Sequence, residues 1–184
     1  TYVDALYIIV PSDVMYNLFR VLRDTLGLGS ASDDGLIFRR LEQAVQAVDT
    51  HCRRKFIAVT DTRYYERGDL DGHGFTLMMD KDLVTVTTLT NGDSAGTVIP
   101  NTEYWLTNAA GRRITEPPYH AIRLKIDSTY GWEFDTDYFV SVLGSWGYAA
   151  TIPEDVQRAI IRLVAYYYAQ KDAQVFDVTA VPEA

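Results

Sequence analysis

The fold of this protein is decided by residues 151–171, which have the sequence TIPEDVQRAIIRLVAYYYAQK. Thr151 and Glu154 have the spacing of a capping box, and Pro153 is tolerated at a helix start because its missing N–H would have no partner there. Apolar side chains then recur at helical spacing, at Val156, Ala159, Ile160, Leu163 and Tyr167. We therefore predict a helix that is capped by Thr151 and runs to about Lys171.

Two further helices are predicted near the start of the chain. Ser12 is a suitable N-cap for the first, and Gly27 ends it. The apolar face of this first helix consists of Val14, Leu18, Val21 and Leu22. A second helix begins at Ser32 or Asp33, and its apolar face consists of Ile37, Leu41, Ala44, Val45, Val48 and Cys52. The short connection between them favours an αα-hairpin on which the last helix packs.

The region between the helices has the short β-prone runs and turn residues of an antiparallel sheet. Turn signals occur at Asn91-Gly92 and Pro117-Pro118. Six strands are predicted, near residues 57–66, 75–79, 83–89, 103–107, 120–126 and 138–143.

The sequence therefore predicts an α+β fold in a single domain. A helical body is formed by residues 12–54 and 151–171, and an antiparallel β-region is inserted at 56–148. Residues 172–184 show no periodicity, which predicts a flexible C-terminal tail.

Composition and charge exclude several classes of protein. The net charge is -8, and the basic residues occur in small groups instead of one broad stripe, which argues against sequence-specific DNA binding. The longest apolar runs are far shorter than the roughly 20 residues that a membrane helix needs. No targeting segment is expected, and the single cysteine, Cys52, fits a reducing compartment.

The sequence DLDGHG at residues 69–74 partly resembles a calcium-binding EF-hand loop. Asp69, Asp71 and Asp80 would supply its first, third and twelfth ligands. However, His73 replaces an oxygen ligand, and Asp80 replaces the usual bidentate glutamate, while the flanking residues are β-prone. We therefore predict a polar hairpin tip, with the three aspartates as a partial metal-site candidate. A metal-dependent hydrolase that uses Asp69, Asp71 and His73 is a further hypothesis.

Catalytic and nucleotide-binding motifs are not recognisable elsewhere in the sequence. The three histidines, His51, His73 and His120, lack the close spacing of a zinc site. Cys52 and His51 are adjacent on a helix and point about 100° apart, so they do not form a nucleophile and base pair. We predict that Cys52 lies in the core, that the protein is not an enzyme and that it needs no cofactor.

Tyrosine is abundant, with 13 residues that include the run Tyr166-Tyr167-Tyr168. Three successive residues point around most of a helix, so one buried face cannot cover them all. We predict that Tyr166 and Tyr168 contact a neighbouring subunit, and ordinary partly exposed tyrosines are the alternative. An exposed aromatic cluster would instead indicate a small binding module for carbohydrate or peptide, and its candidate residues are Trp105, Tyr119 and Trp132.

Six segments follow one another in a recognisable order between residues 12 and 171. They are CRRKF (52–56), TRYY (62–65), LVTVTTL (83–89), YWL (104–106), PYHAIRL (118–124) and VSVLGSWGY (140–148). Taken together, and with the proline-capped last helix, they resemble the head-tail connector (adaptor, or head-completion) family of tailed bacteriophages and related gene transfer particles. The junction from Trp146 to Pro153 is the most specific part of this resemblance.

The resemblance implies a structural virion protein that is made in the bacterial cytoplasm and located in the neck. It implies a ring, typically of twelve copies, which docks on the portal protein and extends the DNA channel to the next connector or tail-completion protein. DNA would pass through without specific binding, repelled by the acidic charge, and no membrane is involved. In related adaptors the C-terminal segment reaches towards the portal, which implies partner contacts by Val175, Phe176, Val178 and Val181.

Overall fold

The computed structural model describes residues 12–27, 31–92, 95–134 and 139–170. Within these residues the chain has an α+β fold with three α-helices and a six-stranded antiparallel sheet, as the sequence predicts. It divides into two compact units. The helical unit is formed within Thr1–Cys52 and Pro153–Ala184, and the β unit spans Arg53–Ile152.

The helical unit contains α1 (Ser12–Leu26), α2 (Asp34–Cys52) and α3 (Glu154–Ala169), with a short 3-10 helix at Ala31–Asp33 before α2. The last helix packs on both of the first two. Buried side chains recur at helical spacing on each helix and form the core, which consists of Met15, Leu18, Leu22, Ile37, Leu41, Ala44, Ile160 and Val164. None of the described helices is long and apolar enough to cross a membrane.

Polar and aromatic contacts also join the helices of this unit. The rings of Phe19 on α1 and Phe38 on α2 meet edge to face, with centroids 6.1 Å apart. The Tyr168 hydroxyl near the end of α3 donates a hydrogen bond to the Asp33 carboxylate just before α2. This contact fixes the far end of α3 to the start of α2.

The start of α3 differs from the prediction. Its N-cap is Pro153, which makes no side-chain capping bond, and the Pro153 carbonyl accepts a hydrogen bond from the Gln157 N–H at 2.9 Å. Thr151 lies two residues before this cap, too early for its hydroxyl to reach the first free N–H groups, so the predicted capping box is wrong. The helix ends at Ala169, and Lys171 lies outside the described residues.

Two predicted core residues of the helical unit are exposed. Cys52 is exposed because it is the last residue of α2, and the buried positions of that helix end at Asp49. Val21 is also exposed, and Met15 is buried instead. The buried stripe of α1 thus follows Met15, Leu18 and Leu22, so Leu18 and Leu22 are confirmed and Met15 is buried in place of Val21.

The β unit contains six strands and two short 3-10 helices, at Arg67–Asp69 and Asn101–Glu103. The strands are β1 (Val59–Tyr65), β2 (Thr76–Asn91), β3 (Thr97–Val98), β4 (Tyr104–Thr107), β5 (Tyr119–Leu124) and β6 (Val140–Trp146). Their order in the sheet is β1-β6-β2-β5-β4, and β3 pairs with β2. Every pairing between these strands is antiparallel.

Strand β2 is a single strand of 16 residues where the sequence predicts two. Its first part pairs with β5, and from Leu83 onward it pairs with β6, with a register shift between Met78 and Leu83. The polar run Asp80-Lys81-Asp82 interrupts the apolar alternation, and for this reason the sequence pattern predicts two strands instead of one. The two-residue strand β3 is too short to give a sequence signal and was not predicted.

Candidate interaction cleft

Side chains from β1, β2, β5 and β6 surround a cleft of about 200 Å³ in the β unit. We call it the basic cleft, and its lining residues are Arg53, Arg54, Lys55, Arg63, Met79, Asp80, Lys81, Asp82, His120, Trp146 and Gly147. It carries five Lys or Arg side chains and two Asp. Its local charge is therefore positive in a chain whose net charge is -8.

Arg63 is held rigidly on one side of the cleft. Its Nη1 atom donates to both carboxylate oxygens of Asp80, at 2.8 and 2.9 Å, and the Tyr65 hydroxyl donates to Asp80 Oδ1 at 2.9 Å. The Arg63 guanidinium lies 4.3 Å from the centroid of the Trp146 ring, a cation–π contact. The Trp146 Nε1–H donates to the Asp61 carbonyl at 3.0 Å, so the ring beneath Arg63 is fixed too.

The contacts of Asp80 shift two pKa values. Partial burial raises the pKa of Asp80, but the hydrogen bonds from Tyr65 and Arg63 and the positive charges of Arg63 and Lys81 outweigh it, so the pKa lies below its ordinary value. Burial, together with the hydrogen bond to Asp80 and its negative charge, raises the pKa of Tyr65. At neutral pH the carboxylate is therefore charged and the phenol is neutral.

Replacing Asp80 by asparagine is expected to lower stability at neutral pH more than at acidic pH. A carboxyl whose folded-state pKa is lowered stabilises the fold above its unfolded pKa of about 4, and this contribution is lost as the pH falls through the folded value. Thermal melting of both proteins from about pH 7 to about pH 3 measures the difference.

Asp127→Asn is the control for this comparison, because Asp127 is exposed and forms no ion pair within the described part of the chain. Its melting temperature relative to the wild type should depend much less on pH. A constant difference between Asp80→Asn and the wild type across the pH range would contradict the proposed stabilisation by Asp80.

Asp82 also lines the cleft, and only 10% of its side chain is exposed. Its Oδ1 atom is 3.5 Å from His120 Nδ1, and its Oδ2 atom is 3.4 Å from Arg54 Nη1. The Arg54 guanidinium also stacks on the Tyr148 ring, 5.2 Å from its centroid. Despite the ion pair with Arg54, the buried Oδ2 accepts no hydrogen bond from any described residue. The partner of this oxygen among the described residues is therefore the Arg54 guanidinium, through the ion pair alone.

The backbone of Arg53 is in the left-handed region, with a φ of +54°. Non-glycine residues seldom adopt this conformation, and where they do the strain often accompanies a functional role. Arg53, Arg54 and Lys55 all line the cleft. The left-handed backbone conformation of Arg53 thus occurs in a run of three basic residues that line the basic cleft.

Solved structures resemble the whole of this fold, whereas no protein-family profile and no curated protein sequence matches the chain. A chain in the neck of an empty gene transfer agent (GTA) particle, computed with C6 symmetry, has a TM-score of 0.58 and 21% identity over 83% of this chain and 78% of that chain. A chain in the neck of a native GTA particle, computed with C12 symmetry, has a TM-score of 0.59 and 20% identity over 88% and 80%. This chain has the fold of those GTA chains.

A third chain with this GTA fold comes from the virion of a native GTA particle. Its TM-score is 0.57, and its identity is 20% over 90% of this chain and 83% of that chain. Because the matches cover at least 83% of this chain, they include residues of both the helical unit and the β unit.

The three aspartates of the predicted metal loop have separate protein partners in this GTA-like fold. Asp69 accepts the Glu66 N–H at 2.8 Å, and Asp71 accepts the N–H groups of Phe75 and Thr76 at 3.0 and 3.2 Å. Burial is the largest single effect and raises the pKa of Asp71, but the hydrogen bonds from Thr76, Phe75 and Gly74 together hold that pKa below its ordinary value. No group of three or more His, Cys, Asp or Glu that could hold a metal occurs among the described residues.

The predicted partner-binding residues are placed only in part. Tyr166 is 57% exposed on α3, and Tyr168 is bonded to Asp33 within the same unit. Their contact with a neighbouring subunit stays a prediction. The other four, which are Val175, Phe176, Val178 and Val181, lie outside the described residues.

The aromatic residues of the alternative binding-module hypothesis do not form an exposed cluster. Tyr119 is buried at 8% exposure, and the Trp105 ring is covered by the cations of Arg113 and Lys125, at 3.6 and 4.3 Å from its centroid. Trp132 packs against the core and donates through Nε1 to the Phe75 carbonyl at 3.2 Å. The exposed cluster that this alternative requires is therefore not formed by these three residues, because each ring makes contacts inside the β unit.

Within the basic cleft, only Arg53-Arg54-Lys55 forms a cluster of basic residues that is visible in the sequence. Arg63 comes from β1, Lys81 from β2 and His120 from β5, and these residues share no spacing along the chain. The strand pairing brings them together, so no local pattern could have predicted the cleft.

Proposed function

We propose that this protein is a structural subunit of the neck of a tailed-phage-like particle, where it forms a head-tail adaptor ring. The observation that carries the proposal is the likeness of its fold to chains of GTA necks, across both of its units. The C6 and C12 symmetry of those necks supports assembly into a ring, for which we propose twelve copies. In this role the protein is not an enzyme and needs no cofactor.

The ring would dock on the portal protein and extend the DNA channel to the next connector or tail-completion protein. A closed ring of identical subunits needs two different surfaces on each copy, one for each neighbour. A chain with a helical unit and a separate β unit offers such surfaces. Its net charge of -8 would repel DNA and let it pass without specific binding.

Tyr166 is the described residue that we propose for a contact between subunits. Tyrosine is enriched at protein interfaces, and this side chain is more than half exposed on α3. We propose that the sequence that follows α3 continues the contact, with the portal as its partner. Its apolar residues are Val175, Phe176, Val178 and Val181.

Cryo-electron microscopy of purified particles that encode this chain tests the proposal. We expect a ring of density between portal and tail into which both units fit, and a copy number equal to the ring symmetry by quantitative mass spectrometry. Particles from a deletion strain, complemented or not with the intact gene, are the control. The proposal is wrong if the chain is absent from purified particles, or if it is present only in the capsid shell or at the tail tip.

A further inference from the structure

Strand β1 lies at an edge of the sheet, and one of its two sides is open. Among the described residues it pairs with β6 alone, so the other side of β1 has no partner strand there. The opposite edge of the sheet is covered, because β4 bonds to the chain at Arg113 and Ile114. An open edge strand is a template for pairing with a further strand, and soluble proteins usually protect such edges. The open side of β1 is therefore a place where another segment can add to the sheet.

The side chains of β1 also present apolar surface at this edge. Val59 is 46% exposed and Tyr64 is 61% exposed. One position is odd and the other even along the strand, so the two side chains point to opposite faces of the sheet. The Thr62 N–H donates to the carboxylate of Asp61 at 2.8 Å, and Asp61 is exposed, so an added strand can take the place of this bond. A strand that covers both Val59 and Tyr64 must be apolar on both of its faces.

The sequence before α1 has this pattern. Residues 1–10, TYVDALYIIV, lie outside the described residues, and their only charged side chain is Asp4. From Tyr7 to Val10 every residue is hydrophobic and either aromatic or β-branched, and these residue types favour strands. Consecutive hydrophobic positions place apolar side chains on both faces of a strand.

The length of this segment also fits the edge. Ten extended residues span about 33 Å, which exceeds the roughly 23 Å of the seven residues of β1. Residues 1–10 are therefore long enough to cover the open side of β1 from end to end.

We propose that residues 1–10 of one copy add as a strand to the open side of β1 in the next copy of the ring. This inference rests on the proposed neck function. Each copy then gives one strand and receives one, which is a directional contact of the kind that closes a ring of identical subunits. A strand that returned to β1 of its own chain would join no subunits, so the ring favours exchange between copies. Main-chain hydrogen bonds supply the contact, and the added strand covers Val59 and Tyr64.

Photo-cross-linking in intact particles tests the contact directly. Ile8 is replaced by p-benzoylphenylalanine, which forms a covalent link to a nearby C–H bond on irradiation. We expect covalent dimers of this chain, with links that mass spectrometry locates within residues 59–65. The same replacement at Val98, an exposed residue of β3, is the control and should give no link to β1. The inference is overturned if no dimer forms, if Ile8 links to β1 of its own chain, or if it links to a different protein.

A charge placed on the open side of β1 provides a second measurement. Tyr64→Lys should cause at least about a tenfold loss of the chain from purified particles, because an apolar strand would then bury an unpaired charge. Val98→Lys is the matched control, since Val98 is 51% exposed on a different strand, and it should be incorporated normally. Thermal melting of both purified variants checks that they fold.

A variant within the segment leaves the described units unchanged. Proline cannot donate a hydrogen bond to a neighbouring strand. Successive residues of a strand direct their N–H groups to opposite sides, so replacing both Ile8 and Ile9 by proline removes a donor that faces β1 in either register. We expect at least about a tenfold loss of this double variant from particles, whereas Ile8→Val with Ile9→Val keeps the strand-forming residues and should be incorporated normally.

Normal incorporation of either Tyr64→Lys or the double proline variant would overturn the inference. These results differ from failure of the proposed function. If the wild-type chain is absent from the neck, the proposed function fails. If the wild-type chain forms the ring and the variants behave like it, only the strand exchange fails.

Discussion

Trp146→Ala is expected to lower the free energy of unfolding by about 3–5 kcal/mol, the usual cost of removing a large buried aromatic side chain. Trp146 is only 3% exposed and belongs to the core of the β unit. Its ring packs near Tyr65, with centroids 6.3 Å apart, and carries the Arg63 guanidinium. The loss would therefore weaken both the core and one wall of the basic cleft. Urea unfolding followed by far-ultraviolet circular dichroism measures it.

Trp146→Phe is the matched control, because it keeps an aromatic ring but removes the N–H that bonds to the Asp61 carbonyl. The lost hydrogen bond alone should cost about 0.5–1.5 kcal/mol, so this variant should be clearly more stable than Trp146→Ala. Equal stability of the alanine variant and the wild type would show that the ring does not support the β unit as described.

Gly144→Ala is expected to lower the free energy of unfolding by about 1–3 kcal/mol or more through overpacking. Gly144 lies in β6 between Asp61 of β1 and Val86 of β2. A Cβ atom there would be 2.3 Å from the Thr85 carbonyl oxygen. Because that oxygen belongs to the backbone of a paired strand, β2 and β6 would have to move apart. Yield of soluble protein and urea unfolding both report this change.

Gly131→Ala is the control for Gly144→Ala. A Cβ atom at Gly131 meets no other atom within 4 Å, so its stability should stay close to that of the wild type. If the two alanine variants were equally stable, the close approach of β2 to β6 at Gly144 would be wrong.

The helices were predictable from the sequence because their signal is local. Apolar spacing predicted α1, α2 and α3 and the packing of the last on the first two, and the buried residues Leu18, Ile37 and Ile160 confirm it. The errors occur at helix ends, where periodicity no longer applies. Cys52 continues the apolar pattern in the sequence, but it lies at the last position of α2 and is exposed.

The presence of an antiparallel sheet was predictable from the sequence, but the order in which its strands pair was not. Five of its strands overlap predicted runs, yet β2 joins two of those runs across Asp80-Lys81-Asp82 and changes neighbours from β5 to β6 along its length. The β-propensity of a segment does not indicate which strand it pairs with, since pairing depends on contacts between residues far apart in the sequence. The basic cleft depends on those pairings, so only its consecutive basic residues, Arg53-Arg54-Lys55, form a local pattern in the sequence.

The position of β6 also constrains how the protein is made. Although β6 lies between β1 and β2, it is the last strand along the chain, and its Trp146 pairs with Val59. A nascent chain that ends before this strand leaves β1 and the second half of β2 without their shared neighbour, with unpaired edges that invite aggregation. The helical unit also cannot complete its packing before β6 is made, because α3 follows β6 along the chain. Both units can therefore complete their folding only after α3 has been synthesised.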